Sequence, residues 1–123
     1  MRETVTKLFI MTTEDRTKLR SRVLATLKTG RRNAITGNDL AAALGHGDDR
    51  KIRLVIRELI MEGHPVASSV SEPMGFYICT SEHEAVAYIA TLRARAEEDM
   101  ARLRDFEEAA ATRFNMPEQP GLL

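Results

Sequence analysis

Apolar positions recur at helical spacing in four stretches of this chain and alternate in a fifth, short region. Residues 1–12 are threonine-rich and weakly patterned, and read as an arm, a short helix or an edge strand. Thr13 then precedes EDRTKLRSRVLATLK, where Leu19, Val23, Leu24 and Leu27 share one helical face. Glu14 and Asp15 at its start and Lys28 at its end suit the helix dipole, and Gly30 marks the stop. After a polar RRNA turn, Thr36 and Asp39 have the spacing of an approximate capping box for a short second helix, with Leu40, Ala43 and Leu44 as its apolar stripe. Gly45-His46-Gly47 ends it. Asp48 or Asp49 caps a third helix that runs to about Glu62 and is closed by Gly63 and Pro65. Residues 66–70 and 75–79 read as two strands around a Ser71-Glu72-Pro73-Met74 tip. Ser81 and Glu84 form a better capping box, opening a helix with no breaker before Pro117; residues 115–123 read as a flexible tail.

The third helix carries the most information. On a wheel of about 100° per residue, Ile52, Val55, Ile56, Leu59 and Ile60 fall on one arc, enough to anchor it in a core. The opposite arc holds Arg50, Arg53, Leu54, Arg57 and Met61 with no acid among them, while Lys51, Glu58 and Glu62 lie on a separate flank. A solvated face normally mixes signs through i,i+4 pairs. Three aligned guanidinium groups instead suit phosphates or guanine edges, and Leu54 suits a thymine methyl. A plain solvated basic face is the competing explanation.

The stretch ITGNDLAAALGHGDDRKIRLVIRELIMEGHPVASS, followed by MGFYI, resembles a winged helix–turn–helix domain, closest to the small winged-helix proteins of bacteriophages and bacteria. The likeness spans about residues 19–79, half of the chain, and rests on the DLAAALG helix, the glycine turn, the RKIRLVIRELIMEG helix and the hairpin that follows at once. It implies a mainly α fold with a small β-hairpin, the winged helix–turn–helix occupying residues 13–80. It also implies that the third helix enters the major groove of double-stranded DNA while the hairpin touches backbone or minor groove. Carried over by position, Arg50, Lys51, Arg53, Leu54 and Arg57 become base and phosphate readers. Thr36 and Asn38 become phosphate anchors, and Ser68 and Ser69 phosphate contacts of the hairpin.

Two features depart from that pattern. The hairpin has Glu72 at its tip and no base between Pro65 and Cys79. Asp48 and Asp49 stand at the helix end that points into the groove, where they are ordinary caps, although an acid also accepts from a cytosine amine. Arg16, Lys18, Arg20, Arg22, Arg31 and Arg32 are further cations that would add sequence-independent affinity, or are simply solvated.

A helix over about 82–113 extends ~45 Å, beyond the ~30 Å of a small domain. Ala85, Ile89, Leu92, Ala96, Asp99, Leu103, Phe106 and Ala110 alternate at spacings of four and three, a heptad seam with one charged defect at Asp99. The expectation is that residues 81–114 pair with a second copy through Ile89, Leu92, Ala96, Leu103 and Phe106, giving a homodimer. The alternative is a helix that bends over its own domain.

Composition adjusts this picture little. A chain of 123 residues buries enough surface to need no metal or disulfide staple. Lys+Arg and Asp+Glu are 18 each, so bulk charge favours no polyanion. Residues 1–34 nevertheless hold nine basic and three acidic side chains, and 81–123 five and nine, a distribution suited to an anionic partner on one side. The lone Cys79 excludes an internal disulfide, fits a reducing compartment and reads as a buried structural thiol. The apolar run 8–11 is too short for a signal peptide or a membrane span, so a cytoplasmic protein of a bacterial or phage-infected cell is expected, with no membrane partner.

No Gly-rich phosphate loop, paired-cysteine motif, HExxH or GxSxG occurs, and His46, His64 and His83 share no ligand spacing. No enzyme, metal or cofactor is expected. Double-stranded DNA binding by a regulator of transcription or of phage genome function is expected. The alternative is a protein-interaction module, a replication accessory or host-takeover adaptor, with Leu54 and Met61 as anchors.

Overall fold

A computed structural model describes residues 12–117. All but the last residue of the expected arm, and the tail from 118 on, lie outside the described residues. The elements are α1 (Thr13–Thr26), a 3-10 turn (Arg31–Asn33), α2 (Gly37–Ala43), α3 (Arg50–Met61), β1 (Val66–Ser69), β2 (Gly75–Ile78) and α4 (Glu82–Phe114). The described residues are thus mainly helical with one small antiparallel hairpin. The chain divides into two compact units, Met1–Val86 and Ala87–Leu123, and the first turn of α4 belongs to the first.

Thr12, one residue earlier than the spacing suggests, caps α1: its hydroxyl accepts the Asp15 N–H at 3.0 Å. The helix stops at Thr26, short of Gly30, because the backbone beyond Leu27 finds sheet partners. Ile78 N–H donates to the Lys28 carbonyl (2.9 Å), and Gly30 N–H donates to the Ile78 carbonyl (2.8 Å). Those groups are satisfied as well as another helical turn would satisfy them. Lys28 therefore lies past the helix, whose last turn carries no base.

The Thr36 hydroxyl accepts the Asp39 N–H at 3.1 Å and starts α2 as the spacing predicts. Helices α2 and α3 both end on a left-handed glycine, Gly45 (φ 78°) and Gly63 (φ 106°). The next residue's N–H reaches back in each case, His46 to Ala41 (2.9 Å) and His64 to Leu59 (3.0 Å), which satisfies the terminal carbonyls.

Leu19, Val23, Leu27, Leu40, Leu44, Ile52, Val55, Ile56, Leu59, Val66 and Phe76 form one buried cluster with Ala41. Three expected core members are outside it, of which Leu24 is half-buried and packs against the cluster. Ala43 is exposed while Ala41 is buried, because Gly37, Leu40, Ala41 and Leu44 make the inward stripe of α2. Ile60 is 47% exposed; it lies about 90° round the helix from the centre of the Ile52–Leu59 stripe.

The hairpin pairs Val66 with Ile78, Ala67 with Tyr77, Ser68 with Phe76 and Ser69 with Gly75, so both strands end one residue before the expected 70 and 79. Strand β2 is covered on both edges. Opposite β1, Thr29 bridges to Ile78 and Ile35 to Phe76, with Phe76 N–H donating to the Ile35 carbonyl at 2.7 Å. At Gly75 (φ 124°) a Cβ would stand 2.1 Å from the Ile35 carbonyl oxygen, so this crossing admits only glycine.

Helix α4 runs to Phe114 and ends on Asn115 in the left-handed region (φ 52°). At its start Ser81 Oγ accepts the Glu84 N–H (3.2 Å), but the Glu84 carboxylate does not return to Ser81. It accepts Thr80 N–H (2.7 Å) and Arg31 N–H (3.0 Å), tying the start of the helix to the 3-10 turn. No helix among the described residues is long and apolar enough to cross a membrane.

Candidate functional site

Helix α3 is seated by Ile52, Val55, Ile56 and Leu59, and α1 covers its acidic flank. Arg16 Nη2 lies 2.7 Å from Glu58 Oε1, and Arg20 Nη1 lies 2.7 Å from Glu62 Oε1 and 3.6 Å from Glu58 Oε2. Glu58 Oε2 is buried and accepts no hydrogen bond, so its attraction to Arg20 is purely of charge. Arg16 and Arg20 are thus engaged by carboxylates, which corrects the expectation that they add free positive charge. Lys18 faces Glu14 at 3.2 Å, and Arg22 donates to the Leu44 carbonyl at 3.4 Å.

Away from the core, Arg50, Arg53, Arg57 and Met61 are exposed, and Lys51 and Leu54 are half-buried. The Arg50 and Arg57 guanidinium groups have no hydrogen bond or ion pair among the described residues. Arg53 does: its Nε donates to Asp49 Oδ2 at 2.6 Å, and its Cζ lies 5.1 Å from the centroid of the Phe76 ring. The outer arc is therefore not free of acid. Asp49 precedes the first helical residue, so a wheel that begins at Arg50 omits it, yet its carboxylate reaches one turn forward. It makes no cap bond; Asp48 Oδ1 accepts the Arg50 N–H instead, at 3.0 Å.

Helix α2 closes on the same pair. A Cβ on Gly37 would meet Asp49 Oδ2 at 2.6 Å and Arg53 Nη2 at 3.3 Å. Asn38, next along, is exposed, and Thr36 is half-buried. The Thr36 hydroxyl accepts the cap bond and keeps its own proton available to donate.

On the hairpin, Ser68 and Ser69 are half-buried. Ser69 Oγ accepts from Arg31 Nη2 (3.1 Å) and from the Ser71 N–H (3.3 Å), and donates to the Ser71 carbonyl (2.8 Å). Arg31 Nη2 also donates to Ser71 Oγ. Ser69 is thus occupied within the protein. The same bonds bring a cation to a hairpin that has no base of its own, since Arg31 is delivered to it from 38 residues away in sequence. The only signal for this was the Arg31-Arg32 pair beside Gly30, and no periodicity connects that pair to the strands.

Three titrating groups border these contacts. Burial, then the charges of Lys51 and Arg22, hold His46 below its ordinary pKa, against an opposing pull from Asp48. The backbone N–H groups of Arg31 and Thr80 hold the Glu84 carboxyl below the usual range. Cys79 is half-buried rather than buried, and burial followed by the charge of Glu84 raises its thiol.

On α4, Ile89, Leu92, Ala96, Leu103 and Phe106 are all exposed, Phe106 at 72%. The chain matches no family model, no curated protein and no solved structure.

Proposed function

We propose that the protein binds double-stranded DNA as a winged helix–turn–helix module, with α3 in the major groove and the hairpin on the adjacent backbone. One observation carries this reading: Arg50 and Arg57 stand exposed, and without carboxylate partners among the described residues, on the face of α3 opposite its buried stripe. Each can fork onto a phosphate or a guanine edge, with Lys51 and Leu54 beside them. Arg53, steadied by Asp49 and Phe76, supplies a positioned charge between them. Thr36 and Asn38 at the start of α2 anchor phosphates. The seam of α4 pairs two copies, so that a dimer reads two half-sites as a regulator of transcription or of phage genome function.

The test is a mobility-shift titration with random-sequence duplex at 50 and 200 mM salt, followed by selection of preferred sites. Binding that weakens with salt is expected, and Arg57→Ala should cost about 1–3 kcal/mol and relax one position of the selected site. Absence of binding, or affinity that does not respond to salt, rejects the reading.

A different observation favours a protein-interaction module. Ile60 and Met61 are exposed side by side at the end of α3, Met61 at 80%. No DNA binding at either salt concentration would favour that module.

A further inference from the structure

We infer that Arg31, rather than any residue of the hairpin itself, is the hairpin's contact with a DNA backbone phosphate. This rests on the DNA-binding reading and adds to it a residue outside both the helix–turn–helix and the strands. Arg31 differs from most of the other fixed cations in the chemistry of its partners; Arg22, on the Leu44 carbonyl, is the other one held by a neutral acceptor. Arg16, Lys18, Arg20, Arg53 and Arg102 each lie within 4 Å of a carboxylate. Such a pair is close to neutral, and a phosphate must compete with the acid for the guanidinium. The Arg31 guanidinium is held by two hydroxyls, Ser69 Oγ and Ser71 Oγ, and by no carboxylate among the described residues; Glu84 takes only the backbone N–H. Hydroxyls orient a guanidinium without cancelling its charge.

Both serine bonds use Nη2. The N–H of Nε and the two of Nη1 have no hydrogen-bond partner among the described residues, so an edge of the planar group remains open to an anion. The backbone is fixed as well, since Arg31 N–H donates to Glu84 Oε2. The side chain is therefore oriented before any ligand arrives, which lowers the entropy lost on binding.

Its position fits a phosphate beside the groove. Ser69 pairs with Gly75, and Ser68 on the next rung pairs with Phe76, whose ring carries Arg53. Successive residues of a strand face opposite sides. Arg31 and Arg53 thus flank one end of the hairpin from its two faces, which places a cation on either side of the element that lies along the backbone.

The test uses the full chain and a labelled duplex titrated between 50 and 200 mM salt, with Arg31→Ala, Arg31→Gln, Ser69→Ala/Ser71→Ala, Arg16→Ala and Arg57→Ala. Circular dichroism melts identify variants that keep the fold, and Arg31→Gln serves if the alanine variant does not. Loss of Arg31 should reduce the slope of log K against log salt by about one, so that the wild-type advantage shrinks about threefold across that range. The loss should be equal on random and preferred duplexes, because a phosphate contact carries no sequence information. Arg16→Ala should leave the slope unchanged. The double serine variant should keep the slope and lose part of the affinity. An unchanged slope for folded Arg31 variants, with a lower one for Arg57→Ala, overturns this inference and leaves the DNA reading standing. If the wild-type protein binds no duplex, the DNA reading fails and this inference with it.

Discussion

The carboxylate of Asp49 holds the Arg53 guanidinium at 2.6 Å from the residue just ahead of α3, and the same guanidinium rests 5.1 Å from the Phe76 ring. Arg53 thereby joins three elements: the start of α3, strand β2 and, through the close approach of Gly37, the start of α2. A charge held this way is well placed but partly cancelled, whereas Arg50 and Arg57 on the same face have no acid paired with them among the described residues. The pair is also largely open on the arginine side, with the Arg53 side chain 59% exposed. Asp49 therefore acts more on the strength of the cationic face than on the stability of the fold.

Asp49→Asn should tighten binding to random duplex and steepen its salt dependence by about one phosphate equivalent, because it frees Arg53 and removes an acid from the groove-facing end. The stability cost should stay under about 1 kcal/mol, as for other solvent-screened pairs. Titrations at several salt concentrations and a denaturant melt measure the two effects separately. Weaker binding by a folded variant would show that Asp49 itself contacts the duplex.

Gly75→Ala should destabilise the fold by about 3 kcal/mol or more, because the new methyl group has nowhere to go beneath the Ile35 carbonyl. Gly63→Ala is the matching control. It has a similar positive φ (106°) but open space around the added atom, so only the backbone cost of about 1–2 kcal/mol applies. Thermal unfolding of both variants should separate steric crowding from backbone preference.

Glu58→Gln should cost about 1 kcal/mol, since its partners Arg16 and Arg20 are a third exposed and solvent already screens them. It should also release positive charge and raise the salt dependence of DNA binding. An unfolding curve and a salt titration on the same preparation test both.

Acid should weaken the fold in two separate steps. The depressed His46 pKa means that the unfolded chain takes up a proton first, so stability is intact above 6.5, the ordinary value, and falls as pH drops through it towards the lower folded value. Glu84 is depressed as well, so its contribution is present above 4.5 and is lost as pH falls through its lower folded value. Unfolding measured from pH 8 to 3 should show His46→Gln flattening the upper step only and Glu84→Gln the lower step only.

The order of elements, the Thr36 cap, the left-handed glycines after α2 and α3 and the buried stripe of α3 could all be read from the chain, because each depends on residues within about one or two helical turns. The exposed positions of Arg50 and Arg57 follow from that same short-range geometry. What could not be read is where distant segments meet. The early end of α1, the second edge of β2 and the Gly75 crossing arise because residues 28–35 satisfy their backbone groups against a strand 41 to 50 residues later. The partners of the arginines are likewise long-range for Arg16, Arg20 and Arg31, and for Arg53 depend on an acid just outside the helix. A charge pattern along one helix shows where cations stand. Which of them remain free to meet an anion is settled only when the rest of the chain has brought its carboxylates and hydroxyls into place.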